Sequence, residues 1–333
     1  MRTAEIAIIG AGVVGASVAA HLARRGVRNI VVVDRATEFG AGSTSKATGG
    51  FRAQFATESN VRLSMLSREE LEIDARGYLF LATTEEELDA LRAAQAVQHT
   101  CGLHEARMIT AAEARALNPA IGDASVVGGA FCPTDGFVRP MDVLRKYVDE
   151  ARALGVRFEL GVEEVPSAGI VVNCKGAWAG APVTPLRRNV AATIETNVLP
   201  PSMPMTIWSG DWYHLRVRDG RVLLLWPDDP PNEDDVWLSR VRALTDARVP
   251  CLRDIPIDHT WTGLYEMSPD EHALLGRWGD QYVAIGNSGH GVMHAPALGR
   301  LLAEIIVDGA ATSMDVSALD PARFGGGAGE RQD

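Results

Sequence analysis

A strand-like run, a glycine turn and a helix-like run open the chain in AEIAIIGAGVVGASVAAHLARRGVRNIVVVDR, and no other stretch restricts the fold as much. Residues 5–9 are β-type and apolar, and they enter a G-x-G-x-x-G turn at Gly10, Gly12 and Gly15. Residues 13–25 have a helical pattern, and a second apolar run, residues 29–33, ends in Asp34. Gly10 permits the sharp turn, Gly12 lets backbone approach a pyrophosphate, and Gly15 lets helix and strand pack closely. The helix N-terminus then offers unpaired N–H groups to phosphate. Asp34 stands about twenty residues on, where a carboxylate can accept hydrogen bonds from ribose hydroxyls. A lone G-x-G-x-x-G can be an ordinary glycine-rich turn; its place between two strands, with the acid in register, selects a dinucleotide site.

The rest of the chain supports an α/β architecture. Residues 40–50 are small, polar and aperiodic, as expected of a loop near a nucleotide site. Residues 84–97 and 110–117 read as exposed helices. Leu144, Tyr147, Val148, Ala151 and Leu154 mark an amphipathic helix stopped by Gly155, followed by a strand over 156–160. Residues 170–173 form a buried strand running into a glycine turn. Residues 190–226 read as strands with a turn at Asp219–Gly220, and Asp228 to Asp234 as a solvated acidic loop. Leu298, Leu301, Leu302 and Ile305 give the buried face of a late helix, and a disordered tail is expected over 325–333. The α/β units sit at the beginning, middle and end. This order predicts a Rossmann-type nucleotide-binding domain assembled from the discontinuous segments 1–55, 140–182 and 262–324, with a β-sheet-rich α+β second domain from 56–139 and 183–261.

Bulk properties narrow the function classes. A net charge of -11 leaves no basic face for nucleic acid. No apolar run reaches the length of a membrane span, and residues 1–9 are too soon followed by glycine to be a signal peptide. Four cysteines without C-x-x-C spacing imply neither zinc nor a disulfide framework, so a cytoplasmic location is expected. His290 and His294 stand four apart, but no third ligand accompanies them, and no metal site is expected.

The glycine turn with Asp34, GSTSKATGGFR, DGFVRP, VVNCKGAWA and SPDEHALLG…VAIGNSGHGVMHAPALGRLLAEII together resemble FAD-dependent amino-acid oxidoreductases of the D-amino acid oxidase superfamily, in its sarcosine oxidase and glycine oxidase branch. The resemblance implies bound FAD and oxidation of the C–N bond of an amino acid or N-alkyl amino acid to an imine. At the first turn it assigns cofactor contacts to Gly10, Gly12, Val13, Val14 and Gly15, and to Asp34 and Arg35 beyond it. It adds Gly42, Ser43, Thr44, Ser45, Ala47, Thr48, Gly49 and Gly50 from the loop beneath the flavin. Val162, Cys174, Gly176 and Trp178 come from the middle block. Gly263, Gly289, His290, Gly291, Val292 and Met293 come from the last, where the helix N-terminus faces the negative edge of the reduced flavin.

Arg52 matches the arginine that binds the substrate carboxylate, as a bidentate fork should. Gly263 replaces the cysteine that bonds covalently to flavin in sarcosine oxidase, which excludes that attachment. Tyr265 stands near a carboxylate-binding arginine of the relatives, Met293 replaces a lysine anchor, and the oxygen-activating lysine falls near Leu223. Carboxylate anchoring then rests on Arg52, with Tyr213, His214 and Tyr265 as further candidates, and His290 as turn support or catalyst. The electron acceptor is O2 or another oxidant, and an FAD-binding subunit of a multi-chain dehydrogenase is an alternative role. A 2-hydroxy acid is the alternative substrate, for which His214 or His290 would serve as base.

Overall fold

The computed structural model describes residues 4–228 and 231–325. In chain order the first half runs β1 (Ala4–Ile9), α1 (Val13–Arg24), β2 (Ile30–Asp34), α2 (Ser43–Lys46), β3 (Gly50–Phe51), α3 (Glu58–Arg68), β4 (Tyr78–Ala82), α4 (Glu85–Thr100), β5 (Arg107–Thr110), α5 (Ala111–Leu117), β6 (Gly128–Cys132) and β7 (Gly136–Phe137). The second half runs α6 (Pro140–Ala153), β8 (Arg157–Leu160), β9 (Ala168–Asn173), β10 (Thr184–Thr193), β11 (Met205–Trp208), β12 (His214–Arg218), β13 (Arg221–Leu225), α7 (Asp234–Arg248), β14 (Ile257–Met267), β15 (Leu274–Trp278), β16 (Gln281–Ile285) and α8 (Gly291–Asp308).

β1 is apolar on both faces because it is central. It pairs in parallel with β2 (Ile6 opposite Ile30) and with β9 (Ile6 opposite Ile170). The six-stranded sheet runs β15-β16-β9-β1-β2-β8. α1 is buried along nearly its whole length, and its alanines let α6 and α8 approach closely; a methyl group on Gly299 of α8 would stand 2.2 Å from Ser17 Oγ. Ile6, Ile8, Leu22, Leu144, Tyr147, Leu298 and Leu302 share this core. α6 starts on Pro140, whose fixed φ suits the first helical position, and ends before Gly155 at φ +91°.

The eight-stranded sheet runs β14-β10-β13-β12-β11-β4-β6-β5. β11 and β4 are parallel neighbours; the other pairings are antiparallel. Asp219 and Gly220, both at positive φ, close the β12–β13 hairpin in the sense that matches strand twist. Val61 and Leu63 of α3, a segment placed with this sheet by sequence, belong to the first core, and α3 packs on α8.

Two local expectations are corrected. Residues 40–50 are not a featureless loop, since they hold α2 and begin β3. The acidic stretch ends earlier than expected. Asp234 opens α7, where it and Asp235 sit in the first turn, favourably placed for the helix dipole, while Trp237, Val241 and Thr245 face the core. Asp229 and Pro230 of that stretch, and tail residues 326–333, lie outside the described residues.

Candidate active site

A cavity of about 1110 Å³ runs from the ends of β1, β2 and β9 to the face of β10, β12 and β14. At the nucleotide end the three glycines do different things. A methyl group on Gly10, at φ +110°, would stand 2.3 Å from the Cys174 carbonyl oxygen, and one on Gly15 would stand 1.9 Å from the Gly10 carbonyl oxygen. Both are required by the protein's own packing. A methyl group on Gly12 would meet nothing nearer than Thr44 Oγ1, at 3.5 Å, so Gly12 faces the cavity. Gly12 caps α1 without a side-chain hydrogen bond, leaving that helix end suited to an anion.

Asp34 lines the cavity while bracing two turns: Oδ2 accepts from the Ala11 amide (2.7 Å) and Oδ1 from the Ala36 amide (2.8 Å). Each oxygen retains a lone pair for a ligand hydroxyl. Arg35 lies 4.7 Å over the ring of Trp178, which is 57% exposed at the rim. Val162 and Gly176 line the same end, and the Val162 amide donates to the Asp34 carbonyl. Cys174 and Gly42 also face the cavity.

α2 crosses beneath. Thr44 Oγ1 accepts from the Val13 amide at 3.3 Å and keeps its proton for a ligand. The Ser43 and Ser45 hydroxyls instead donate to the carbonyls of Leu264 (2.7 Å) and Gly42 (3.4 Å). These bonds fasten α2, and Ser43 also lines the cavity. Gly15 and Ser45 lie off the cavity wall, whereas Val13, Val14, Ala47, Thr48, Gly49 and Gly50 are on it. Methyl groups on Gly49 and Gly50 would stand 2.3 Å from the Val138 carbonyl oxygen and 1.9 Å from the Tyr78 hydroxyl.

Arg52 follows on the wall, half-buried. Its guanidinium stacks 3.7 Å over Phe55, lies 5.7 Å from the Phe80 ring, and donates through Nη1 to the Gln54 carbonyl. Among the described residues no carboxylate forms an ion pair with it. Burial draws its pKa down to about 10, against the pull of Tyr78, Asp135 and Tyr265, so it stays charged at neutral pH. Asp135 fixes the backbone beyond it, accepting from the amides of Ala53 (2.9 Å) and Gln54 (3.3 Å).

His214 Nδ1 lies 2.7 Å from the Trp212 carbonyl oxygen, which assigns the proton to Nδ1 and leaves Nε2 as an acceptor. Burial pulls its pKa down to about 4. Trp212, at φ +61° and 48% exposed, stands on the cavity rim. The Tyr265 ring packs against Gly289, where a methyl group would be 2.3 Å away, and Arg188 lies 5.8 Å from the ring centroid. His290 precedes α8, and its ring meets Phe55 edge-on at 4.9 Å. Gly263, Gly291, Val292 and Met293 complete this wall.

Tyr213 does not belong to the site. It is fully buried in the second sheet's core, its hydroxyl 2.8 Å from Thr245 Oγ1. Neighbours along a strand face opposite sides, and His214 has the cavity side. Leu223 is buried among Val190, Ala192 and Leu225, off the cavity wall. The sequence reading missed Arg188, Trp212, Asp135 and Glu266. Asp135 stands inside the block DGFVRP and Glu266 two residues before SPDEHALLG, and no spacing marks them.

His294 lies behind His290, with Nε2 2.9 Å from Ser64 Oγ, and burial lowers its pKa to about 3. Unfolded, it would titrate near 6.5. Between those values the unfolded chain binds a proton that the fold excludes, so this residue's contribution falls as pH drops from about 6.5 toward 3. Melting temperatures measured from pH 8 to pH 4 should therefore fall more steeply for the wild type than for His294→Asn; parallel curves would contradict the assignment.

The glycine turn, Asp34, a dinucleotide-sized cavity and a cationic far end define a nucleotide-binding protein with room for a small anionic ligand beside the nucleotide. The chain belongs to the FAD-dependent oxidoreductase (DAO) family, whose sequence model matches residues 5–305. It is similar to FAD-dependent oxidoreductase domain-containing protein 1 of Xenopus laevis, with 24% identity over 96% of this chain and 82% of that protein. It is also similar to mitochondrial dimethylglycine dehydrogenase of Rattus norvegicus, with 27% identity over 97% of this chain, which spans only 45% of that relative's length. Among solved structures, L-proline dehydrogenase from P. horikoshii superposes with a TM-score of 0.89 at 28% identity, covering 97% of this chain and 98% of that one. The wall described above fits FAD: Gly12 leaves room where a pyrophosphate would pass, and Thr44, Asp34 and the start of α1 offer matching polar groups.

Proposed function

We propose that this chain oxidises the C–N bond of a small amino acid or N-alkyl amino acid of the sarcosine, glycine or proline kind, giving an imine that water hydrolyses. One observation carries this reading: Arg52 is a cation on the cavity wall, stacked on Phe55, and among the described residues no carboxylate forms an ion pair with it. FAD, when bound, supplies the hydride acceptor. Arg52 holds the substrate carboxylate, and His214 Nε2 accepts a hydrogen bond from the amine. Tyr265, packed on Gly289, shapes the pocket beside them. The start of α8 presents its positive end to charge arriving on the cofactor. In this reading the six-stranded sheet carries the nucleotide and the eight-stranded sheet supplies the substrate wall.

The His214 lone pair would equally serve a hydroxyl proton, which keeps a 2-hydroxy acid as the alternative. Product analysis separates the two: an amine substrate releases ammonia or an alkylamine, and a keto acid formed without either would overturn the first reading. Relatives named as dehydrogenases support an acceptor other than O2, carried by a partner subunit or a small oxidant. Among the described residues no helix is long and apolar enough to cross a membrane, and the four free thiols suit the reducing cytoplasm.

A further inference from the structure

Glu266 is an ionisable group on the cavity wall that the chemistry above does not use. Oε1 accepts a 2.6 Å hydrogen bond from Asn287 Nδ2, and Oε2 accepts one of 3.0 Å from the Gly286 amide. Both donors belong to the turn that leads into α8. Glycines flank the carboxyl: a methyl group on Gly176 would stand 3.8 Å from Oε2, and one on Gly291 would stand 3.6 Å from Oε1.

Several charged or titratable groups sit on the elements around it. These are Cys174 and Lys175 after β9, Arg187 and Arg188 on β10, Lys46 on α2, Tyr265 on its own strand, and His290 before α8. None forms an ion pair with Glu266 among the described residues. Arg187 pairs with Asp234, and Arg188 donates to the Asp228 carbonyl. The Cys174 thiol, pushed up by burial and then by Glu266, stays protonated. Burial pushes the Glu266 carboxyl up to about 7, against its hydrogen bonds to Asn287 and Gly286. A carboxyl with no counter-ion, in a poorly solvated wall, responds strongly to charge arriving in the adjoining cavity.

We propose that Glu266 is a redox-linked proton acceptor: when the bound flavin is reduced, the Glu266 carboxylate takes up one proton from water, and it returns that proton on reoxidation. Both electrons would come with the hydride that FAD, when bound, accepts from the substrate. The Glu266 O–H bond forms with a solvent proton and needs no other reagent. The inference rests on the FAD of the family and not on the identity of the substrate.

The test is the two-electron midpoint potential of the FAD-loaded protein, read spectroscopically from pH 5.5 to pH 9. Each proton taken up with two electrons changes the potential by about 30 mV per tenfold change in proton activity. The wild type should show a window near neutrality where the slope steepens by one such proton, and E266Q should lack it. E266Q should match the wild type below the window and lie at a higher potential above it. Identical slopes in the two proteins would overturn the proposal. If E266Q does not retain FAD, Asn287→Ala serves instead. Losing the 2.6 Å hydrogen bond should move the window to higher pH, and an unmoved window would overturn the proposal.

Discussion

Replacing Arg52 by alanine is expected to lower kcat/KM for the amino-acid substrate by roughly 100- to 4,000-fold, most of it through KM. Removing one partner of a desolvated ion pair costs about 3–5 kcal/mol, and every 1.4 kcal/mol is tenfold. The free protein should lose only the Gln54 hydrogen bond and the stack on Phe55, because among the described residues no carboxylate pairs with the guanidinium; its melting temperature should change little. Arg52→Lys should recover part of the loss, since it keeps the charge but not the planar fork or the stack on Phe55. Steady-state kinetics on the three proteins decides the matter. An unchanged KM in Arg52→Ala would move the carboxylate elsewhere.

The second large effect separates two glycines that a sequence pattern treats alike. Alanine at Gly15 places a methyl group 1.9 Å from the Gly10 carbonyl oxygen and 3.1 Å from its carbon. The two closest atoms are backbone, with Cys174 Cβ next at 3.4 Å, and backbone cannot yield as a flexible side chain can. A loss of about 3 kcal/mol or more follows, with insoluble or colourless protein. Alanine at Gly12 meets only Thr44 Oγ1, at 3.5 Å, within ordinary contact distance. Gly12→Ala should fold with the apo-protein's melting temperature and bind FAD at least about 100-fold more weakly, because its methyl group takes the pyrophosphate's path. Paired melting curves and FAD titrations read this contrast. Equal behaviour of the two variants would refute the division of labour.

The nucleotide end was legible because its chemistry needs particular residues close together in sequence. The glycines and Asp34 are spaced by one strand-turn-helix-strand unit, and one pattern carries all of them. What the pattern could not show is that Asp34 also holds the amides of Ala11 and Ala36. The substrate end comes from distant segments. Tyr213 and His214 are adjacent, and sequence gives no phase for a short strand, so either could have faced the cavity. The structure gives that place to His214. α7 escaped notice because its acidic first turn continues an acidic run, although those charges stabilise the helix they begin. Ser43 and Ser45 looked like phosphate donors, and only the approach of β14 to α2 shows Ser43 bound to Leu264.

The central claim is that one cavity holds FAD beside a small acid anchored on Arg52. Its most direct measurement is the visible spectrum of the FAD-loaded protein during anaerobic addition of glycine, sarcosine, proline and related amino acids, one at a time. The account predicts that flavin absorbance bleaches with at least one of them in the wild type, and at far higher concentration in Arg52→Ala. Protein that takes up no FAD, or a flavin that bleaches equally in both proteins, would contradict it.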